Sequence, residues 1–168
     1  TLLSYEIEKW YAANQQAWLW VNVPPVDAGS TDDNIYLYSQ NPTAADGQDT
    51  TGTWNGDYHM VHHLQETSGT HFDSTSYAND GIWHEPIPDQ PGTQDAVGKV
   101  AGANRFWGED DWGDEPQNPQ YLDNNNRVEI AADPSLHGHK SITVEAWVVR
   151  EERVDWEDHF IRTGGEWM

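Results

Sequence analysis

The stretch that decides the fold is YHMVHHLQETSGTHFDSTSYANDGIWH, residues 58–84. Two runs rich in aromatic and apolar residues, 58–64 and 81–84, enclose the polar segment DSTSYANDG at 73–81. Asp, Asn, Ser and Gly are residues that turn a chain, and carboxylate and amide oxygens are also the ligands of hard cations. The stretch therefore predicts two β-strands joined by a turn that is a candidate cation site.

The first of these runs carries three histidines, His59, His62 and His63. On a strand that rises about 3.3 Å per residue, His59 and His63 share a face roughly 13 Å apart, while His62 points to the other face. One ion cannot contact all three in that geometry, although an i, i+4 pair on a helix can hold one. The neighbouring Val and Tyr and the short length of the run favour a strand. We therefore expect the histidines to pack in the core or to form cross-strand hydrogen bonds.

The composition limits the possible partners. Eight Lys and Arg stand against 29 Asp and Glu, a formal net charge of −21, so the basic stripe that nucleic acid requires is missing. The acidity fits a salty exterior, a calcium-rich exterior or an assembly held by cations. Without cysteine, neither a disulfide nor a thiolate metal site can form. The apolar runs are far shorter than the roughly 20 residues of a membrane span, and no signal-peptide pattern opens the chain. We expect a soluble chain without a membrane span, cut at Thr1 from something longer.

Strand patterns begin near the amino terminus. Residues 2–10 alternate apolar and polar side chains, which favours a strand over the competing helix at 4–16. A second strand is predicted at 16–23, where it ends before Pro24-Pro25, and a third at 35–39. The polar segment 40–57 is the predicted domain boundary. It would divide the chain into an N-terminal β-region, 1–56, and a second unit, 57–168.

The second unit shows short strand patterns separated by turns, and no helix is predicted in it. After the strand at 58–65, we predict strands at 81–84, 97–107, 127–130, 141–149 and 159–162. Gly98 and Gly102 suggest bends or close backbone approach within the predicted strand at 97–107. The alternation in SITVEAWVV, 141–149, is the clearest strand pattern in the chain. This spacing predicts an all-β fold, a β-sandwich of jelly-roll type.

Four segments in order, HLQETSGTHFDSTSYANDG, VGKVAGANRFWG, RVEIAADPSL and SITVEAWVV, resemble the first half of a laminin-G-like, concanavalin A-like jelly roll. Residues 1–56 are similar to the end of an uncharacterised β-domain that precedes such jelly rolls in microbial surface proteins. The resemblance implies about a dozen strands, of which this chain supplies roughly half. We therefore expect a truncated sandwich, or one that a neighbouring copy completes by adding strands to open edges.

The resemblance also implies calcium. Asp73, Asn79 and Asp80 would supply hard oxygens from one turn, and an acidic loop adds Asp110 and Asp111, with Glu109 and Asp114 close by. The alternative is an Asx-capped turn in which Gly81 takes a positive φ, with a solvated acidic loop.

Two ligand chemistries remain for the second unit. Trp83, Trp107 and Trp112 lie near loops and are candidates for stacking on glycans, although core or rim packing is the competing interpretation. Asp155 and Glu157 would share a strand face about 7 Å apart, against the roughly 5 Å of retaining glycosidases, so solvated charge explains them better. No other nucleophile or phosphate-loop motif occurs, and we predict no catalysis.

These observations favour a non-catalytic extracellular or cell-surface module for adhesion, glycan binding or partner binding, with calcium as a candidate cofactor. The alternative is a structural subunit of an extracellular filament or sheath, in which neighbouring copies exchange strands. A glycoside hydrolase is the third class considered.

Overall fold

The computed structural model describes residues 1–29, 31–84, 92–106 and 126–149, and the backbone of 162–163 and 166–167. In this part of the chain the strands form four small antiparallel sheets, ordered β1-β2, β3-β4-β7, β5-β6 and β8-β9. The helix in the described residues consists of one short α-helix and two 3-10 turns. The predicted all-β fold is confirmed, and the jelly-roll arrangement stays a prediction. The elements are β1 (Tyr5–Tyr11), β2 (Gln16–Val21), α1 (Thr50–Thr53), β3 (Thr70–His71), β4 (Gly81–His84), β5 (Thr93–Val97), β6 (Gly102–Arg105), β7 (Arg127–Ile130), β8 (Arg162–Thr163) and β9 (Glu166–Trp167).

The first hairpin joins β1 to β2 and confirms the first two predicted strands. A 3-10 turn at Ala12–Asn14 and the left-handed Gln15 (φ 55°) reverse the chain between them. The pairing runs from Tyr5 opposite Val21 to Tyr11 opposite Gln16, with a register shift between Ile7 and Lys9. That shift leaves Glu8 as the extra residue of a β-bulge, which bends the strand and redirects its side chains.

The prediction of a third strand at 35–39 is wrong. These residues form no strand, and Tyr38 is 90% exposed. The alternation of apolar side chains only stabilises a strand that has a partner, and no described strand pairs with this segment. Further on, residues 48–54 attach to the hairpin instead. Asp49 caps α1 by accepting from the Gly52 N–H, and its own N–H donates to the Tyr5 carbonyl at 3.0 Å.

The three-stranded sheet contains two strands at the predicted bounds, β4 and β7. Gly81 pairs with His71 on one side and with Ile130 on the other. Its φ is not positive, which corrects the predicted role; Ala78 takes the left-handed conformation in this turn (φ 53°). Gly81 is instead required by space, because a Cβ there would collide with the Val128 side chain.

The strand predicted at 58–65 is wrong. Only His62 bridges, to Asp73, and the backbone leaves the extended region at Leu64 (φ 53°). The Val61 N–H donates to the Asp73 carboxylate rather than to a carbonyl of a neighbouring strand. A side-chain acceptor has thus replaced the ladder partner that a strand requires.

Of the strand predicted at 97–107, residues 97–106 are described, and they form the end of one strand, a hairpin turn and a second strand rather than one strand. β5 ends at Val97, β6 begins at Gly102, and the two residues pair directly. Close approach at the glycines is confirmed: a Cβ on Gly98 would collide with the Gly102 carbonyl, and one on Gly102 would lie 2.8 Å from the Gln65 Cα. The two glycines therefore allow the chain to reverse where the pattern predicted continuation.

The strand predicted at 141–149 is also wrong. Every residue of the segment is exposed and none is in a strand, and Val149 is 90% exposed. As at 35–39, the described residues offer it no partner strand. Of the strand predicted at 159–162, only Arg162 lies among the described residues, at the start of β8.

Buried residues in the described part of the chain are mostly polar. Trp54 and Trp83 are its buried large apolar side chains, whereas Glu6, Glu8, His71, Gln94 and several others are buried and polar. Buried polar groups must be hydrogen-bonded to be tolerated, so the interior is specified by hydrogen-bond networks. No helix in the described residues has the length and apolar character needed to cross a membrane.

Candidate functional site

The centre of the molecule is a cluster in which His63 lies between two glutamates of β1. The Nε2 atom of His63 is 3.1 Å from Glu6 Oε2, and its Nδ1 atom is 3.4 Å from Glu8 Oε2. Both carboxylates are buried, with 9% and 8% of their surface exposed. The pattern of β1 had predicted these glutamates on the polar face, but they are the most buried residues of the strand.

Two tryptophan indoles and a hydroxyl complete the cluster. Trp54 Nε1 donates to Glu6 Oε2 at 2.6 Å, and Ser74 Oγ donates to Glu6 Oε1 at 2.8 Å. Trp20 Nε1 donates to Glu8 Oε2, also at 2.6 Å. The Trp20 and Trp54 rings lie 5.2 Å apart, and both lie about 6 Å from the imidazole of His63. Charge-assisted hydrogen bonds of this kind hold the indoles in fixed orientations.

The electrostatics of the cluster match an imidazolium between two carboxylates. Burial by itself lowers the pKa of His63, but the hydrogen bond and charge of Glu6 and the charge of Glu8 outweigh burial, so the pKa is raised. Burial raises the pKa of Glu6, but hydrogen bonds from His63, Trp54 and Ser74 outweigh it and the pKa is lowered. Both shifts stabilise the charged forms of the pair.

A shallow aromatic groove opens beside this cluster. Three tryptophans line it: Trp18 and Trp20 from β2, and Trp147 from the extended segment 141–149. Glu8 and Lys99 contribute the two charges, and Leu19 and Val100 complete the lining. The volume is about 260 Å³, below the roughly 300 Å³ at which pockets for drug-sized molecules begin. Because Glu8 holds the Trp20 indole, the buried cluster positions one wall of the groove.

The groove also contains an internal cation. Lys99, in the turn between β5 and β6, places its Nζ atom over the ring of Trp147 at 5.6 Å from the centroid. This distance is within the range of a cation–π interaction. Trp147 is otherwise 80% exposed, which leaves most of the indole facing solvent.

The residues predicted to bind calcium are occupied by their own turn. Asp73 accepts from the N–H groups of Val61, Thr75 and Asn79 and from the Thr75 hydroxyl, at 2.7–2.9 Å. Asp80 Oδ1 accepts from the Asp73 N–H at 2.8 Å. Burial raises the pKa of Asp73, but these hydrogen bonds outweigh it and lower the pKa.

Asn79 likewise makes bonds within the protein, since its amide nitrogen donates to the His59 carbonyl and to Ser135 Oγ. The described residues contain no group of three or more His, Asp or Glu arranged to hold a metal ion. The hydrogen bonds at 73–80 are those of the alternative interpretation, an Asx-type turn, and calcium binding by these residues stays a prediction. Asp110 and Asp111 lie outside the described residues, as do Glu109 and Asp114, so calcium binding by the acidic loop stays a prediction.

Of the tryptophans predicted to stack on glycans, only Trp83 lies among the described residues. It is 9% exposed and its ring packs 5.5 Å from that of Phe106, which supports core packing. Trp107 and Trp112 lie outside the described residues, as do Asp155 and Glu157. The tryptophans that line the groove were not among the predicted site residues.

The other two histidines of the 58–65 segment have separate partners. His62 Nε2 contacts the Asn79 carbonyl at 2.8 Å, and the His59 ring stacks on Tyr77 at 5.1 Å and lies 4.4 Å from His139. The expected hydrogen bonding and packing are therefore seen, although on an irregular segment rather than a strand.

A further buried histidine, His71, was not singled out in the sequence. Its Nδ1 atom lies 2.8 Å from Glu66 Oε2, and its Nε2 atom is contacted by the side-chain amides of Gln94 and Asn104. These hydrogen bonds connect the three-stranded sheet to the β5-β6 hairpin, so the role of His71 is structural.

The signal for the central cluster was present but indirect. Glu6 and Glu8 alternate with apolar residues on β1, a pattern that is ordinarily read as solvent-facing. Two features pointed the other way: Trp18 and Trp20 occupy one face of the partner strand, and a histidine-rich segment follows. Two features of the folded chain accompany the inward direction of this face. One is the bulge at Glu8, and the other is the contact between Glu6 and His63, which lie 57 residues apart.

The fold and this site define an all-β domain of small antiparallel sheets, organised around a buried carboxylate–histidine–tryptophan cluster with an aromatic groove beside it. The chain belongs to the family described as Domain of unknown function (DUF2341), which matches residues 1–85. The match includes β1, β2, α1, β3 and β4, and with them Glu6, Glu8 and His63. Searches of the curated proteins and of the solved structures found no match.

Proposed function

We propose that the protein is a non-catalytic, extracellular binding module whose ligand is a carbohydrate held in the aromatic groove. The observation that carries the proposal is the convergence of Trp18, Trp20 and Trp147 on one open groove. The C–H face of a pyranose ring packs well on an indole, and tryptophan combines a large apolar surface with low conformational entropy cost. A shallow groove suits one or two sugar units of a longer chain that continues into solvent.

Sugar recognition also requires polar groups beside the stacking surface, and the groove provides them. Glu8 and Lys99 place one carboxylate and one ammonium group beside the aromatic walls, so the groove combines apolar surface with charge. Trp20 is already fixed by Glu8 and by its contacts with Trp54 and His63. A preorganised wall reduces the entropy cost of binding. The resemblance of residues 57–168 to laminin-G-like modules remains a proposal that agrees with this role.

The electrostatics support binding rather than catalysis. A glycosidase requires one carboxyl group with a raised pKa to protonate the leaving oxygen. The pKa of Glu6 is lowered, and both Glu6 and Glu8 already share the imidazole of His63. The two glutamates thus hold His63, and Glu8 also positions the Trp20 indole.

The test is a glycan array followed by calorimetry with any retained oligosaccharide. Trp147→Ala and Trp18→Ala are expected to weaken binding roughly tenfold, since each removes a large apolar surface that the sugar ring would otherwise cover, and about 1.4 kcal/mol corresponds to a factor of ten. Trp10→Ala is the matched control, because Trp10 is 64% exposed on β1 and does not line the groove. A blank array, or equal losses for all three variants, would overturn the proposal.

A second candidate function is assembly of copies through strand addition. It is favoured by the segments 35–39 and 141–149, which carry strand-like alternation, are exposed and are not in any described sheet. Unpaired β-patterned segments are templates for pairing with another chain. This role would make the protein a subunit of an extracellular filament or sheath.

Light scattering and electron microscopy test the second candidate. Ordered polymers are expected, and Val144→Lys in the 141–149 segment should disperse them because a buried charge opposes strand addition. Val97→Lys is the control, since Val97 is 98% exposed but already paired in β5. A monodisperse monomer at all concentrations argues against this function.

A further inference from the structure

We propose that the groove selects a cationic sugar, a glycan whose amino groups are protonated, and that Lys99 occupies the cation position when the ligand is absent. This inference rests on the proposed carbohydrate-binding function and specifies its ligand class. It starts from the ammonium of Lys99, which lies over the Trp147 ring at 5.6 Å. The protein thereby shows where this groove accepts a positive charge.

The composition of the groove favours a cation over an anion. Indole faces attract ammonium groups through the ring quadrupole, and three tryptophans line the groove. Among the described residues that line the groove, Glu8 is the one carboxylate, and it is 8% exposed, so its charge is poorly screened. His63 offsets part of that charge, since its Nδ1 atom lies 3.4 Å from Glu8 Oε2, but one imidazole faces two carboxylates, Glu6 and Glu8.

The net charge of the whole chain also favours a cationic ligand. A net charge of −21 attracts cationic ligands and repels uronic acids and sulfated glycans before any contact forms. An N-acetylated amino sugar has the same ring but no charge, so it loses the cation–π and Coulomb contributions while retaining the stacking. The difference between the free amine and its acetylated form therefore isolates the proposed interaction.

Lys99 then competes with the ligand for the face of Trp147. Lys99→Ala removes this internal cation and one positive charge from the groove without altering an aromatic wall. Affinity for a cationic sugar should rise, whereas a lysine that bonded sugar hydroxyls would give a loss. The sign of this change separates the two roles.

The experiment is calorimetry at about 0.15 M ionic strength, where charges more than roughly 8 Å apart are largely screened. The probes are the tetramers of glucosamine, N-acetylglucosamine and glucose, with tetralysine as a cation that is not a sugar. We expect the glucosamine tetramer to bind roughly five- to thirtyfold more tightly than its N-acetylated form. Lys99→Ala should tighten it several-fold, Trp147→Ala should abolish the preference, and Trp10→Ala should leave it unchanged.

Each other outcome decides against the inference in a recognisable way. Equal or tighter binding of the acetylated or glucose tetramer overturns the cation preference but leaves the carbohydrate function standing. Tetralysine binding that depends equally on Trp147 identifies a basic peptide as the ligand and overturns the sugar class. If no tetramer binds and the array is blank, the proposed function itself fails.

Discussion

The imidazole of His63 lies 3.1 Å from the carboxylate of Glu6, a residue 57 positions earlier in the chain. This contact joins the β1-β2 hairpin to the histidine-rich segment across position 57, where the sequence predicted a domain boundary. The same carboxylate accepts from Trp54 and Ser74. One buried glutamate thus connects three separate parts of the first 85 residues, the part of the chain that the family match covers.

The first prediction concerns the pH dependence of stability. The raised pKa of His63 contributes stability that is fully present below its unfolded pKa, about 6.5, and is lost as pH rises through the higher folded value. The lowered pKa of Glu6 contributes stability present above about 4.5 and lost as pH falls through the lower folded value. We expect urea denaturation to show maximal stability between about pH 4.5 and 6.5.

His63→Gln is the variant that isolates the histidine contribution, because repulsion among the many carboxylates also changes with pH. The difference in unfolding free energy between wild type and variant should be largest near pH 5.5 and should shrink by pH 9. A difference that stays constant across this range would contradict an imidazolium between the two glutamates.

The second prediction concerns Glu6 itself. Glu6→Gln removes the negative charge that faces His63. It also leaves one acceptor oxygen for the donors that share two carboxylate oxygens in the wild type. We expect a loss of about 2–4 kcal/mol in unfolding free energy, the range for breaking a buried, hydrogen-bonded charge pair. Glu145→Gln, at an exposed position of the 141–149 segment, should change stability by no more than about 0.5 kcal/mol. Equal effects of the two substitutions would show that Glu6 is not the central acceptor.

The third prediction concerns Gly81. A methyl group at this position collides with the Val128 side chain on the neighbouring strand and lies 3.1 Å from His62 Cε1. Gly81→Ala should therefore cost about 1–3 kcal/mol, as overpacking does. Val128→Ala should recover part of that loss in the double variant. Absence of rescue would place the requirement for glycine in the backbone rather than in the space beside β7.

The fourth prediction separates the Asx turn from a calcium loop. Asp73 accepts four hydrogen bonds from its own turn and from Val61. Asp73→Ala should lower the unfolding free energy by about 2–3 kcal/mol, because several donors lose their acceptor. The melting temperature of the wild type should not change on addition of EDTA if the turn alone explains Asp73. A fall in melting temperature that added calcium reverses would establish a calcium site and contradict the interpretation of Asp73 as part of a turn alone.

Some features of the fold followed from local patterns. The strands β1, β2, β4 and β7 appear where alternation and turn residues predicted them, and each has an antiparallel partner strand. The all-β class followed from the same signals. Other strand predictions failed because the partner strand was missing or had been replaced. The segments 35–39 and 141–149 have no described partner strand. At 58–65, the Val61 N–H donates to the Asp73 carboxylate instead of to a neighbouring strand.

The sequence by itself determined the charge of −21 and the absence of cysteine chemistry, because these depend on composition alone. Tertiary structure alone decided which face of β1 is buried. A one-residue bulge at Glu8 and contacts across 57 residues direct Glu6 and Glu8 toward His63 and the two indoles. The groove likewise exists only because β2, the turn at 98–101 and Trp147 meet in space. Side-chain alternation describes a strand, but the hydrogen-bond partners available to buried charges decide which side of it faces the interior.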